Sequence, residues 1–301
     1  MEEDVVLSDV HIYTENATVE GSEIYAALPE RWKERVKVAR SRFVFRRPRG
    51  GEKAKRRPTR DPPASDEDGD LLIERKDVGP KNVLTLVHLT ATPLSLVGSQ
   101  VWRGATYLAD FVLHEGSLRF GGKNVLELGG GTGLCSILVS SYARRTFCTD
   151  RGATQLEICR ANVESNGNSV RVRELDWTSC DPLSAGGRFG WSDRDREELR
   201  ETQVILASDV VYDDRLTHCF LQTLDWLRSY APWRVAYVSL ERRINFASET
   251  LTECSPAYDY LVDRLDSLRD VYDVGRCPDF PQYFRYERTP QLQLWAISPK
   301  T

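Results

Sequence analysis

The sequence predicts an α/β fold: a Rossmann-like, mostly parallel sheet with helices on both faces and an antiparallel strand near the C-terminus. Three observations predict it. From about Val83 onward, apolar and β-branched runs alternate with stretches of helical period. The stretch Asn124–Cys135, NVLELGGGTGLC, runs an apolar strand into four glycines within five positions. Near the C-terminus the alternation stops and strand-like runs follow one another, which calls for antiparallel pairing.

Taken in order, residues 1–45 carry apolar patterning in DVVLSDVHIYT and RFVFRR and are expected to add a strand or two to the edge of the core. Residues 46–75 read as a linker. The run Arg46–Asp70 is nearly free of apolar residues and rich in Pro and Gly, so it buries too little surface to offset its ordering entropy. Arg46 to Arg60 holds eight Lys or Arg and one Glu, net +7, in a chain of net charge −4, so the remainder carries −11. The clusters RRPR and KAKRRP fit a nuclear import signal as well as a solvated charge run. Residues 83–301 form the folded domain. Its strands are expected at Asn124–Leu128, Arg145–Asp150, Val170–Leu175, Val204–Asp209 and Arg234–Leu240, with helices at Leu134–Ala143, Gly152–Val163 and Arg215–Leu227. A helix near Ala257–Leu268 then precedes strand-like runs at Val271–Val274, Tyr283–Glu287 and Gln291–Ile297.

Several classes are disfavoured. No run approaches the roughly 20 apolar residues that span a bilayer, and the first residues, MEEDVVLSDV, are acidic where a secretory signal is basic and then apolar. The expectation is a soluble intracellular protein with no membrane partner. Seven scattered cysteines without a Cys-x-x-Cys pair fit reduced buried thiols better than disulfides or zinc, and the four histidines show no ligand spacing, so no metal is expected.

The glycines supply the chemistry. In an open parallel sheet the ligand sits beyond the carboxyl ends of the strands where the winding reverses. Gly129, Gly131 and Gly133 let the backbone bend and approach a bound group, and a helix starting near Thr132 would aim its amides there. A dinucleotide fingerprint would place Gly where Leu134 stands; here the spacing is G-x-G-x-G, with Glu127 two residues ahead. This arrangement resembles motif I of S-adenosylmethionine-dependent methyltransferases, whose cofactor carries an ammonium and a sulfonium that carboxylates favour. Asp150, closing the second strand 21 residues after Gly129, suits the ribose hydroxyls, with a helix N-cap as its competing role. Asp176 and Trp177 close the third strand, where they suit the adenine amino group and ring, although a lone Trp is more often core.

VWRGATYLADFVL, NVLELGGGTGL, CTDRGATQLEICRANVESN, VRELDWTS and Asp209-Val210-Val211-Tyr212 follow one another in an order similar to the seven-β-strand protein-lysine methyltransferases of family sixteen. The resemblance covers about Val83 to Ile297. It implies a seven-stranded class I methyltransferase fold and transfer of methyl from S-adenosyl-L-methionine to a protein lysine. It further implies that Trp102 and Arg103 flank the cofactor, that Glu127 and the glycines lie under its methionine end, and that Ser208, Asp209 and Tyr212 close the fourth strand, with Asp209 and Tyr212 facing substrate. Gly130 stands where the family usually has Ala, a difference a small-residue site is expected to tolerate. Relatives modify lysines on chaperones and on translation or nucleic-acid-associated factors, so a monomer acting on such a protein is expected, in the nucleus and with the cytoplasm left open. No dedicated base is evident, so the lysine proton is expected to leave to solvent. Three competitors remain open: a nucleic-acid methyltransferase, disfavoured by the absence of Asn-Pro-Pro-Tyr and the acidic core; a non-catalytic binding module; and a nicotinamide dehydrogenase, which lacks the third dinucleotide glycine.

Overall fold

A computed structural model describes residues 5–8, 10–13, 15–18, 28, 30–33, 36–47, 81–247 and 252–300. The chain folds around one seven-stranded sheet. Its strands are β1 (Asn124–Leu128), β2 (Arg145–Asp150), β3 (Val170–Glu174), β4 (Val204–Ser208), β5 (Val235–Glu241), β6 (Tyr272–Arg276) and β7 (Leu292–Pro299). They lie in the order β3-β2-β1-β4-β5-β7-β6. The first five pair in parallel, while β7 enters antiparallel between β5 and β6. The winding reverses between β1 and β4, which sets the ligand crevice at their carboxyl ends.

Side chains alternate across this sheet, and both faces are covered. Val125, Cys148 and Leu206 join the cluster packed on helices α1 (Arg103–Phe120), α2 (Leu134–Val139) and α3 (Ala153–Ser165). Their neighbours Leu126, Phe147 and Ile205 join the opposite cluster, with α4 (Asp193–Leu199), α5 (Asp214–Tyr230) and α6 (Pro256–Ser267). Burial on both faces is why these strands carry apolar or β-branched residues at successive positions and not at alternate ones.

The structure differs from the sequence expectations in four places. The N-terminal strands do not extend the main sheet. Glu15–Thr18, Val38–Arg46 and Lys81–Leu89 form an antiparallel sheet of their own. Its inner face packs Val87 and Leu89 against Ile158 of α3. Buried Asn162 of α3 bonds both backbone groups of Val87, accepting from its N–H at 2.7 Å and donating to its carbonyl at 2.9 Å. Second, Tyr283–Glu287 is no strand. The buried Asp110 carboxylate on α1 takes the Tyr283 and Phe284 amides at 2.7 and 2.9 Å and the Tyr286 hydroxyl at 2.8 Å. One side chain thus supplies the acceptors that a neighbouring strand would have offered. Third, α2 stops at Val139, short of the expected Ala143. Fourth, α4 was not expected, although Ser192 and Asp195 form its capping box. Most of the expected linker, from residue 48 to residue 75, lies outside the described residues.

The N-terminal segment also closes over the crevice. Val5–Leu7 pairs antiparallel with Ala91–Pro93, and Val6 lines the cavity described below. Gln100, 3% exposed, holds it in place. The Gln100 amide accepts from the Ser8 N–H at 2.7 Å and donates to Val6 O at 3.0 Å and Thr92 Oγ1 at 2.8 Å. Gln100→Ala strands those partners, so it should lower stability by about 1 to 3 kcal/mol in urea unfolding. Hydrogen exchange should show the Val5–Leu7 amides losing protection in the same variant; retained protection would show that strand pairing alone holds the segment.

Candidate functional site

Glycine shapes the turn between β1 and α2. Gly129, Gly131 and Gly133 have φ of 67°, 52° and 84°, in the left-handed region that side chains rarely adopt. Space is equally restrictive. A Cβ on Gly129 would stand 2.8 Å from Val210 Cγ1, and one on Gly131 would stand 2.6 Å from the Gly98 carbonyl oxygen. Gly130 has no left-handed backbone, but a Cβ there would collide with Cys148 Sγ, so an Ala at this position requires Cys148 to turn away.

The turn's amides are largely committed inside the protein, contrary to the expectation that they face a ligand. Gly130 donates to Thr149 O at 2.9 Å, Gly133 to Gly130 O at 2.8 Å, and Gly131 to Asp150 Oδ2 at 2.8 Å. α2 begins only at Leu134 and has 6 residues. Asp150 therefore ties the end of β2 to the turn while still bordering the cavity. Burial raises its carboxyl above the usual range.

The cavity has a volume of about 840 Å³. Gly129, Gly131, Asp150, Asp176, Trp177, Ser208, Asp209, Tyr212 and Trp102 all border it. Three expected site residues do not. Gly133 sits behind the turn as the N-cap of α2. Glu127, 1% exposed, lies beneath the glycines, where it accepts from Ser136 Oγ and from Cys148 Sγ, the latter at 3.8 Å. Burial pushes its carboxyl up to about 7, against the Ser136 hydrogen bonds. Arg103 turns away to Glu241 at 2.9 Å and Glu287 at 2.8 Å, because both carboxylates lie on its outer side. Sequence spacing places these residues near the turn but does not reveal the direction of their side chains.

Because of the strand order, the bordering groups form a row. Asp176 and Trp177 lie past β3, Asp150 at β2, the glycines after β1, Ser208 and Asp209 at β4, and Arg243 just past β5. At about 4.8 Å per strand the row is roughly 19 Å long. Trp177 packs beside Phe220, with ring centres 5.4 Å apart, and its edge limits the space over Gly129. Asp176 accepts from Thr178 N–H at 2.8 Å and Oγ1 at 2.7 Å and faces Arg151 Nε at 3.2 Å.

Asp209 has a φ of 52°, the one left-handed non-glycine residue among the described residues. Its carboxylate accepts from the Gly104 amide at 2.6 Å and the Glu241 amide at 3.3 Å. Burial raises it to about 6, opposed by the Arg243 charge and the Gly104 amide. Tyr212 is raised to about 12, first by burial and then by the Asp150 and Asp213 charges, so it is a neutral phenol at physiological pH. The sequence did not single out Arg243, Gly98, Gln155 or Val6, all of which border the cavity. Only Gly98, a glycine ahead of a helix, offered a local signal.

Among the described residues, no group of His, Cys, Asp and Glu is placed to hold a metal ion, and no helix is long and apolar enough to cross a membrane. Cys135, Cys148 and Cys159 are buried free thiols, whereas Cys180 is exposed and Cys219 and Cys277 are half-buried.

A family model described as lysine methyltransferase matches residues 85–253. The chain is 38% identical over 250 residues to methyltransferase-like protein 22 of Homo sapiens, a match that covers 77% of this chain and 61% of that protein. It is 39% identical over 253 residues to the protein of the same name in Mus musculus, covering 77% of this chain and 63% of that one. Identity to protein N-lysine methyltransferase METTL21A of Danio rerio is 31% over 181 residues, 58% of this chain and 75% of that protein. The chain thus spans less than two thirds of the length of the two methyltransferase-like 22 proteins.

Two outcomes follow from the turn. Gly131→Ala combines a left-handed φ with a backbone collision, and should abolish ligand binding or folding, as read by calorimetry and circular dichroism. Glu127 takes up a proton on folding, because its carboxyl rises from 4.5 to about 7. Its contribution to stability is therefore full below the unfolded value and lost as pH rises through the folded one. Glu127→Gln removes that dependence. Relative to wild type, the variant should gain about 3 kcal/mol in urea unfolding between about pH 5 and about pH 8; parallel curves would show that Glu127 ionises normally.

Proposed function

The chain belongs to the lysine methyltransferase family, and from that premise we propose that it transfers a methyl group from S-adenosylmethionine to the side-chain amine of a lysine in a protein. The row of groups across the switch point carries the reading. A flat Trp177 face suits adenine, Asp150 suits ribose hydroxyls, and the glycine turn leaves room for close backbone approach. The carboxyl groups of Asp150, Asp176 and Asp209, which border the cavity, suit a ligand with positive charge. When bound, this cofactor supplies an electrophilic methyl on a sulfonium.

The protein's own groups hold the acceptor. Two backbone amides keep the Asp209 carboxylate at the end of β4, and its remaining lone pairs are available to an entering ammonium. Tyr212, kept neutral, offers a hydroxyl that accepts from the amine without adding charge. Alignment of amine and methyl is the main contribution such a site makes to an in-line displacement.

The acidic bulk of the chain suits a basic target. The basic run at residues 46–60 supports a nuclear site of action and a chaperone or nucleic-acid-associated protein as the acceptor. The acting unit in this reading is a monomer, because one chain supplies the whole row.

The test is transfer of labelled methyl into a nuclear extract from cells lacking the protein. A protein band that resists nuclease and hydrolyses to methyl-lysine supports the reading, and label in RNA overturns it. Asp209→Asn keeps a residue that tolerates the left-handed backbone. It should lower labelling by about 100-fold, and calorimetry on the same variant separates that loss from any weakening of cofactor binding caused by the lost acceptor.

A further inference from the structure

Arg243 borders both the main cavity and a hollow of about 490 Å³ beside it. Its guanidinium carbon lies 4.9 Å from the centre of the Trp102 ring. That ring is fixed in turn by its indole N–H, which donates to Val97 O at 2.9 Å. Arg243 forms no ion pair or hydrogen bond at bonding distance with a described residue, and its charge is felt by the nearby Asp209 carboxylate. Other arginines nearby are committed: Arg103 to Glu241 and Glu287, Arg151 to Asp176, and Arg242 to Ser255 Oγ at 3.1 Å. Arg215 stands on the first turn of α5, on the Tyr212 side of the cavity.

We propose that Arg243 binds the α-carboxylate at the amino-acid end of the cofactor, with the Trp102 face holding the guanidinium in position. The proposal rests on the S-adenosylmethionine reading. Three observations carry it. First, a ligand with its adenine at β3 and its ribose at β2 would run its amino-acid end past the glycine turn of β1 toward β4, and Arg243, just past β5, borders that end of the cavity. Second, Asp150, Asp176 and Asp209 favour the ammonium, sulfonium and hydroxyls but repel a carboxylate, which therefore needs a cation of its own. A guanidinium meets a carboxylate with two parallel N–H donors. Third, three backbone amides at the crevice are already engaged within the protein. Gly130 and Gly131 donate to Thr149 O and Asp150, and the Gly104 amide of α1 donates to Asp209.

The proposal is tested by calorimetric titration of the full-length protein with S-adenosylmethionine and with its decarboxylated form. Wild type should prefer the carboxylate form by about tenfold to a hundredfold, the range of a charge-assisted pair. Arg243→Ala should collapse that preference by weakening S-adenosylmethionine alone, and Arg243→Lys should keep part of it. An Ala variant that retains the preference, or weakens both ligands equally, overturns the proposal. So does collapse of the preference in Arg103→Ala instead. Wild type that binds neither ligand overturns the cofactor reading itself.

Discussion

The Asp209 carboxylate is the point on which the site depends. It ends β4 in a left-handed conformation, and its amide donates to Ser239 O at 2.9 Å. Its oxygens take the Gly104 and Glu241 amides, while Ser239 Oγ donates to Gly104 O at 2.7 Å. Three elements meet in this knot: the first turn of α1, the end of β4 and the end of β5. A left-handed Asp costs about 1 kcal/mol or more and persists only where its surroundings over-determine it. Here they do, since any side chain on residue 104 would run into the carboxylate. Trp102 precedes the first turn of α1, Tyr212 follows Asp209 and Arg243 follows Glu241, so the knot anchors the chain next to three residues that border the cavity.

A second constraint runs behind the glycines. Asn162 joins the outer sheet to α3 and also donates to Thr132 O at 2.9 Å, so the N-terminal strands are linked to the turn through one buried amide. Glu127, Ser136 and Cys148 fill the space beneath the turn, and Gly130 leaves room for Cys148 Sγ. Glu127 therefore acts on the backbone of the crevice from below. A carboxyl shielded from solvent and held by a hydroxyl and a thiol is poised to titrate near neutrality, whereas Asp150, above the turn, is held by backbone amides.

How legible the fold was depended on where each element draws its partners. β1 and β2 were read to the residue because buried apolar and β-branched residues fill them, Val125-Leu126 in one and Thr146-Phe147-Cys148-Thr149 in the other. The antiparallel C-terminal strand was legible from the missing helix between β6 and β7. Tyr283–Glu287 was misread because alternating aromatics look like a strand whether their amides meet a ladder or a single carboxylate, and Asp110 lies more than 170 residues away. The outer sheet was misplaced because its partners are side-chain amides on α3, which carry no pairing signal. At the site, residue types and spacing located the crevice but not side-chain direction. Arg103 and Arg243 are chemically alike, and only the carboxylates Glu241 and Glu287 decide which one turns outward.

These electrostatics also bear on where the substrate's proton goes in the proposed reaction. A free lysine titrates near about 10.4, so the neutral amine at pH 7 costs about 4 to 5 kcal/mol. Asp209, near 6, is mostly ionised at pH 7, so placing the proton on it costs about 1.4 kcal/mol more than releasing it to bulk solvent at that pH. Tyr212, near 12, already holds its proton. Neither group is the proton's destination at pH 7: Tyr212 stays a neutral phenol, and Asp209 is mostly the carboxylate that accepts the amine's hydrogen bond. Desolvation beside a cation lowers an amine's pKa, and the cavity is bordered by the rings of Trp102, Trp177 and Tyr212 as well as by carboxylates. In the proposed reaction a lysine ammonium is therefore expected to lose its proton to solvent as it is desolvated, so that the neutral amine is the nucleophile.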